Sequence, residues 1–214
     1  IVEIRGDLVT ATGTNHTAGT VQFNLVTGAS NAQGVQSSQL TNTPSSSGQT
    51  LTVSSSNLTV SNTTGFAAST KAPNAQQAKI GSFTVQTASA EGVTITNLIV
   101  GLNGTLLSGN HITNVTVKDG STVVGTPIGN PTASNNFSAN VVVPPSSTKV
   151  LEVFADLGSN SAGATTTPTM QVTARGTVSN ITTVAPVSPA TGVMTTAAVT
   201  VINVGDITFT PASS

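Results

Sequence analysis

The feature that most constrains this chain is a period of two. Along most of its 214 residues, apolar side chains alternate with polar ones; β-branched Val, Ile and Thr dominate, and strong helix formers are scarce. Alternation at every second position gathers the apolar groups of an extended segment on one face, as a half-buried sheet requires. Strands are expected at residues 20–26, 51–53, 82–87, 93–100, 114–118, 138–143, 149–157, 170–174, 198–202 and 206–210. In 149–157, Leu151, Val153, Ala155 and Leu157 share one face while Glu152 and Asp156 take the other. Near the C-terminus Val199, Val201, Ile207 and Phe209 follow the same odd-even split.

Turn signals interrupt these runs at regular intervals. Asp119-Gly120 stands between two short alternating runs, Val115-Thr-Val-Lys and Ser121-Thr-Val-Val, and predicts a hairpin. Pro- and Gly-rich breakers fall at 44–48, 72–74, 144–147, 163–168 and 186–189. The fold class expected from this pattern is all-β, as one or two antiparallel β-sandwich domains of immunoglobulin-like or jelly-roll-like type. The polar stretch 63–77 is the best candidate linker, dividing the chain into an N-terminal β domain, 1–75, with an extended first strand, and a C-terminal β-sandwich, 76–214. A faint internal echo accompanies this division: Phe23-Asn-Leu-Val-Thr-Gly-Ala-Ser resembles Phe83-Thr-Val-Gln-Thr-Ala-Ser, and the run from Leu51 to Val60 resembles that from Val115 to Val124.

Only 6% of residues are charged, against a usual quarter, so the solvent face has to be made of hydroxyls and amides. A net charge of −1 does little to keep copies apart, and self-association is favoured. Arg5, Lys71, Lys79, Lys118, Lys149 and Arg175 are scattered singly, which argues against nucleic acid as a partner. The longest apolar stretches, such as Asn97-Leu-Ile-Val-Gly-Leu102, are far shorter than the ~20 residues of a membrane helix, so no membrane span is expected. With no cysteine there are no disulfides and no thiolate metal site. The sequence starts at Ile1 rather than Met, as a processed product or a fragment would.

No enzyme active site is legible. His16 and His111 both sit in Asn-rich turn contexts and read as loop residues. Nucleophile-elbow, dinucleotide-loop, P-loop and zinc-helix patterns do not occur. Among the carboxylates only the pairs Glu3/Asp7 and Glu152/Asp156 are close in sequence, and both read as solvated strand faces or strand ends rather than a sugar-hydrolysing pair. A calcium shell would lack the usual acidic loop, so neither metal nor cofactor is expected. Arg5-Gly-Asp7 spells a tripeptide read by some adhesion receptors, but here it interrupts an extended run and reads as a bulge or turn. Asn-x-Ser/Thr sequons fall at Asn15, Asn57, Asn62, Asn103, Asn114, Asn136 and Asn180. All but Asn114, which adjoins the hairpin strand, are candidate glycosylation sites of an exported protein. Sugar binders stack rings on Trp or Tyr; this chain has neither, and its six Phe fall mostly in strand patterns where a core role is the default.

Four motifs, Ile80-Gly-Ser-Phe-Thr-Val, Gly92-Val-Thr-Ile-Thr-Asn-Leu, Ile112-Thr-Asn-Val-Thr-Val-Lys-Asp-Gly and Val143-Pro-Pro-Ser-Ser-Thr-Lys-Val-Leu-Glu-Val-Phe-Ala-Asp, resemble β-sandwich domains repeated in cell-surface proteins of bacteria and archaea. Val2-Glu-Ile-Arg-Gly-Asp-Leu-Val followed by Thr20-Val-Gln-Phe-Asn-Leu-Val is similar to the start of the globular head in archaellins and type IV pilin-like subunits, whose long apolar N-terminal helix this sequence lacks. These resemblances imply a β-sandwich at the cell surface and carry over no catalytic residue. The function expected is that of a structural subunit of an extracellular filament, tube or surface layer, with copies of itself as partners. Strand donation from the extended ends, 1–10 and 198–210, is the expected mode of assembly. The alternative is an adhesive or glycan-binding β-sandwich module of a larger cell-surface protein, with cell-surface glycans as partners.

Overall fold

In a computed structural model the alternation is realised as an all-β fold: strands hold 63% of the described residues and helix 4%, so the core has to lie between sheets. The structure describes residues 5–6, 18–54, 58–186, 194–195 and 199–202. It divides into two units, Ile1–Ser55 and Ser56–Ser214.

Among the described residues the first unit has four strands, β1 (Ala18–Leu25), β2 (Gly28–Gln33), β3 (Leu40–Thr43) and β4 (Ser46–Ser54). β1 pairs antiparallel with β4, and β2 with β3, in two separate two-stranded sheets. Leu25 lies opposite Ser46 and Gly28 opposite Thr43, so the pairs form successive lengths of one long β-ribbon. A turn at 34–39 closes it, with the Gly34 amide donating to the Gln39 carbonyl at 3.0 Å.

The second unit is a two-sheet sandwich. Its strands are β5 (Leu58–Asn62), β6 (Ser69–Lys71), β7 (Ala78–Thr87), β8 (Val93–Asn103), β9 (Ile112–Asp119), β10 (Thr122–Ile128), β11 (Ser134–Val143), β12 (Thr148–Leu157), β13 (Thr165–Gly176), β14 (Thr182–Ala185), β15 (Met194–Thr195) and β16 (Val199–Val201). A short 3₁₀ segment, Thr105–Asn110, links β8 to β9. One sheet has the order β10-β9-β12-β7-β5; the other runs β11-β8-β13-β16-β6, with β14 and β15 also paired to β13. The chain crosses between sheets at β5–β6, β6–β7, β7–β8, β8–β9, β10–β11, β11–β12 and β12–β13. Alternation then delivers Phe83, Val117, Leu151 and Val153 from one sheet against Leu98, Phe137, Met170 and Val172 from the other, all 0 to 1% exposed. Each such side chain contributes roughly 1.5–3 kcal/mol by leaving water.

Two expectations change here. The division falls at 55/56, ahead of the stretch 63–77, because β5 pairs with β7 from Leu58↔Thr87 to Asn62↔Phe83 and buries Leu58 and Val60 in the sandwich. The Pro- and Gly-bearing run is therefore a connection inside the second unit, and it includes β6. The C-terminal segment expected to be available for donation is already used in its own fold at 199–201: β16 pairs antiparallel with β13 and parallel with β6, and Val199 and Val201 are fully buried. The expected strand 206–210, and 1–10 apart from Arg5 and Gly6, lie outside the described residues. The echo has no structural counterpart: β9 and β10 form a hairpin, whereas β4 and β5 pair with different strands in different sheets.

Candidate assembly surfaces

The ribbon has two faces of opposite character. Val21, Phe23 and Leu25 alternate onto one face of β1, and Leu51 and Val53, opposite Val21 and Gly19, bring β4 onto the same face. The other face carries Thr20, Gln22, Asn24, Thr50 and Thr52. Such a pattern ordinarily marks a strand packed on a core. Here Phe23 is 52%, Leu25 52% and Leu51 55% exposed, with Val21 and Val53 half-buried, so much of the face is open to water. The six Phe therefore part company: Phe83 and Phe137 are core residues as expected, Phe23 is not, and Phe209 lies outside the described residues. No Lys, Arg, Asp or Glu occurs between Asp7 and Lys71, so the whole ribbon is uncharged.

In the sandwich, β10 and β11 are the outer strands of their sheets and no ladder joins them. They touch at Gly125, where φ is +71° and a Cβ would lie 2.6 Å from the Ser138 carbonyl oxygen. Only glycine suits both demands. The register of β10 on β9 shifts between Val124 and Ile128, around this same contact. Towards the 119–122 turn the two edges part around a cleft of about 710 Å³. Its floor is Val124, Ala139 and Val141, which belong to or pack against the core, and Val142, 54% exposed, stands at its rim. At its mouth Lys149 Nζ meets Asp119 Oδ2 at 2.6 Å. Both residues share the parity of inward-facing neighbours, Leu151 and Val117, and the ion pair closes the end of the sandwich. The hairpin beside it forms as expected, with its turn one residue later. Asp119 pairs with Thr122, and Gly120, at φ +60°, is the first of two turn residues with Ser121.

The outer face of the five-stranded sheet gathers most of the remaining charge in internally matched sets. Lys79 Nζ lies 2.8 Å from Glu152 Oε1, and Lys118 Nζ sits 4.5 Å from the centre of the Phe154 ring. Asp156 Oδ1 accepts from the Gln77 amide at 2.7 Å, and its Oδ2 from Asn114 Nδ2 at 2.9 Å. Burial works to raise the Asp156 pKa, but the Gln77 and Asn114 donors outweigh it and hold the carboxyl below its ordinary value. Glu152 and Asp156, four residues apart on a strand, are separated by roughly 13 Å along the chain, beyond the spacing of a glycoside-cleaving pair. The outer face of the seven-stranded sheet is different: Thr94, Asn97, Asn136, Thr167, Gln171 and Thr173 make it a field of hydroxyls and amides, with Arg175 at one corner.

Among the sequons, Asn62, Asn103, Asn136 and Asn180 are exposed, and Asn15 and Asn57 lie outside the described residues. Asn180 and Asn114 have φ of +57° and +53°, a conformation that favours Asn on backbone grounds alone. Asn114 also spends its amide on Asp156. His111 follows the 3₁₀ segment, half-buried, with its carbonyl accepting from the Gly158 amide at 2.8 Å; His16, Glu3 and Asp7 lie outside the described residues. Among the described residues no group of three or more His, Asp or Glu is placed to hold a metal, and no helix is long and apolar enough to cross a membrane.

One structural carboxylate gives no sequence signal. Glu91, 7% exposed in the connection before β8, accepts from the amides of Val178 and Ser179, each at 2.9 Å, and from Ser179 Oγ at 2.6 Å. It ties the β7–β8 connection to the turn after β13, at a separation in sequence that local pattern cannot reveal.

No protein-family model and no curated protein sequence matches the chain. It is similar to a solved structure of a family 123 glycoside hydrolase from Clostridium perfringens, described for glycolipid glycan hydrolysis, with a TM-score of 0.39 and 10% identity. The likeness covers 70% of this chain but only 28% of that enzyme, and at this level it carries no statement about activity here.

Proposed function

We propose that this chain is a structural subunit of an extracellular filament, tube or surface layer, built from copies of itself joined through β-strands, and that the ribbon 18–54 is the joining element. The observation that carries this reading is an uncharged two-stranded ribbon with an open apolar face. An isolated two-stranded ribbon is marginal in water, and three or more strands or a packed face are needed for stability. Among the described residues, every strand of this ribbon is an edge. Proteins that must stay apart guard such edges with Lys, inward charges or proline; here Pro44 is the one such guard between Ala18 and Ser54. A net charge of −1 adds little long-range repulsion between copies. The cell-surface setting is supported by the motif resemblances of the sandwich. Sedimentation velocity of the purified chain over a concentration series, with negative-stain electron microscopy of the same samples, tests the proposal. The expected result is a concentration-dependent shift to regular polymers; a chain that remains monomeric at every concentration overturns it.

A further inference from the structure

We infer that the cleft between β10 and β11 is the acceptor for the ribbon of a second copy. This rests on the reading of the ribbon as the joining element and specifies the surface it joins. Three observations converge on that occupant. Among the described residues, β10 and β11 each ladder only to their inner neighbour, β9 or β8, and so present an unpaired edge to the cleft. A ribbon strand laid along β11 adds main-chain hydrogen bonds there and extends the seven-stranded sheet. The side-chain pattern also fits. The cleft floor is apolar at Val124, Ala139 and Val141, and the ribbon offers Val21, Phe23 and Leu51 on one face with amides and hydroxyls on the other. Turned inward, the apolar face continues the core past the open edge.

Charge matches as well. The ribbon has none, and the two charged groups of the cleft, Lys149 and Asp119, already neutralise each other at 2.6 Å. Docking therefore strips water from no unpaired ion. The contact at Gly125 and Ser138 stops the cleft at one end and so fixes how far the incoming strand can run. Because ribbon and cleft are different patches, the contact is heterologous: each copy keeps one free ribbon and one free cleft, through which further copies can add.

The test uses full-length chains carrying Val142→Lys or Asn140→Lys at the cleft, or Leu51→Lys on the ribbon. All three positions are exposed, and an unchanged thermal midpoint of the sandwich verifies folding. Either cleft variant should raise the concentration needed for assembly on the order of a hundredfold, because it places an unpaired charge in the contact. V142K mixed with L51K should give a one-to-one heterodimer that grows no further, since one chain supplies an intact ribbon and the other an intact cleft. If V142K and N140K assemble as the unmodified chain does, or if the mixture yields no heterodimer, the cleft is not the acceptor although the chain still assembles. If the unmodified chain itself stays monomeric, the assembly reading falls and the acceptor falls with it.

Discussion

Phe23 and Phe83 occupy matching places in two similar stretches of sequence, yet the structure gives them different work, and substituting each by alanine separates the two. Phe83 is 0% exposed between the sheets, so Phe83→Ala loses its transfer energy and leaves a cavity, at a cost of about 3–5 kcal/mol. For a unit of this size that lowers the thermal midpoint on the order of ten degrees. Phe23 is 52% exposed, and a Phe side chain carries roughly 200 Å², so about 100 Å² remains to be covered by a partner. At ~25 cal/mol per Å², less what the alanine Cβ retains, covering it is worth about 2 kcal/mol, or roughly thirtyfold in association constant. Phe23→Ala should therefore leave the thermal midpoint of the dispersed chain within a degree or two of its starting value while raising the assembly concentration roughly thirtyfold. Differential scanning calorimetry at low concentration reads the first quantity and light scattering across a dilution series reads the second. The reasoning is refuted if Phe23→Ala destabilises the dispersed chain as Phe83→Ala does, or if it assembles at the unmodified concentration.

Asp156 is held below its ordinary pKa of 3.8, so the stability it adds is fully present above that value and is lost as pH falls through it towards the lower folded value. Asp156→Asn should flatten this part of the acid unfolding curve; an unchanged slope would show that other carboxylates set it. Glu91→Ala leaves the Val178 and Ser179 donors without their carboxylate and should cost about 3 kcal/mol in urea unfolding, with loss of amide protection concentrated at 176–181. Protection that stays uniform across that turn would contradict the tie. Expressed in a host that glycosylates exported Asn-x-Ser/Thr sites, the chain should be modified at exposed Asn62, Asn103, Asn136 and Asn180 and left bare at Asn114, whose amide is bonded to Asp156. Peptide mass spectrometry after glycosidase treatment reads this directly, and modified Asn114 would contradict the bonding.

Much of the sandwich was legible because its strands alternate strongly: β7, β8, β9, β11, β12 and β13 all contain the runs expected of them. β2, with Gly-Ala-Ser-Asn-Ala-Gln, has almost no apolar alternation, and β6, β14 and β15 are too short for a period to register, whereas β16 lies in the run expected at 198–202. β14 and β15 exist because the longer β13 offers them a ladder, which is a tertiary fact. The turn at Gly120-Ser121 came one residue later than the Asp-Gly pair suggested because the glycine, not the aspartate, takes the positive φ. The division at 55/56 was missed for a related reason: a Pro- and Gly-bearing connection within a sandwich has the composition of a linker. The candidate surfaces were only half visible. Alternation in 20–26 announces an apolar face but not whether the chain itself covers it. The cleft depends on two edge strands, β10 and β11, meeting at Gly125 and parting beyond it, which no local pattern encodes.

The account stands on the claim that the ribbon is ordered by another copy. Amide hydrogen exchange followed by mass spectrometry, in dispersed and assembled samples of the same chain, addresses this most directly. Dispersed, amides of 18–54 should exchange fast while those of β7, β8, β12 and β13 are protected; assembled, the ribbon and the β11 edge should both gain protection, with the sandwich core unchanged. Ribbon protection that is the same at every concentration would contradict the claim.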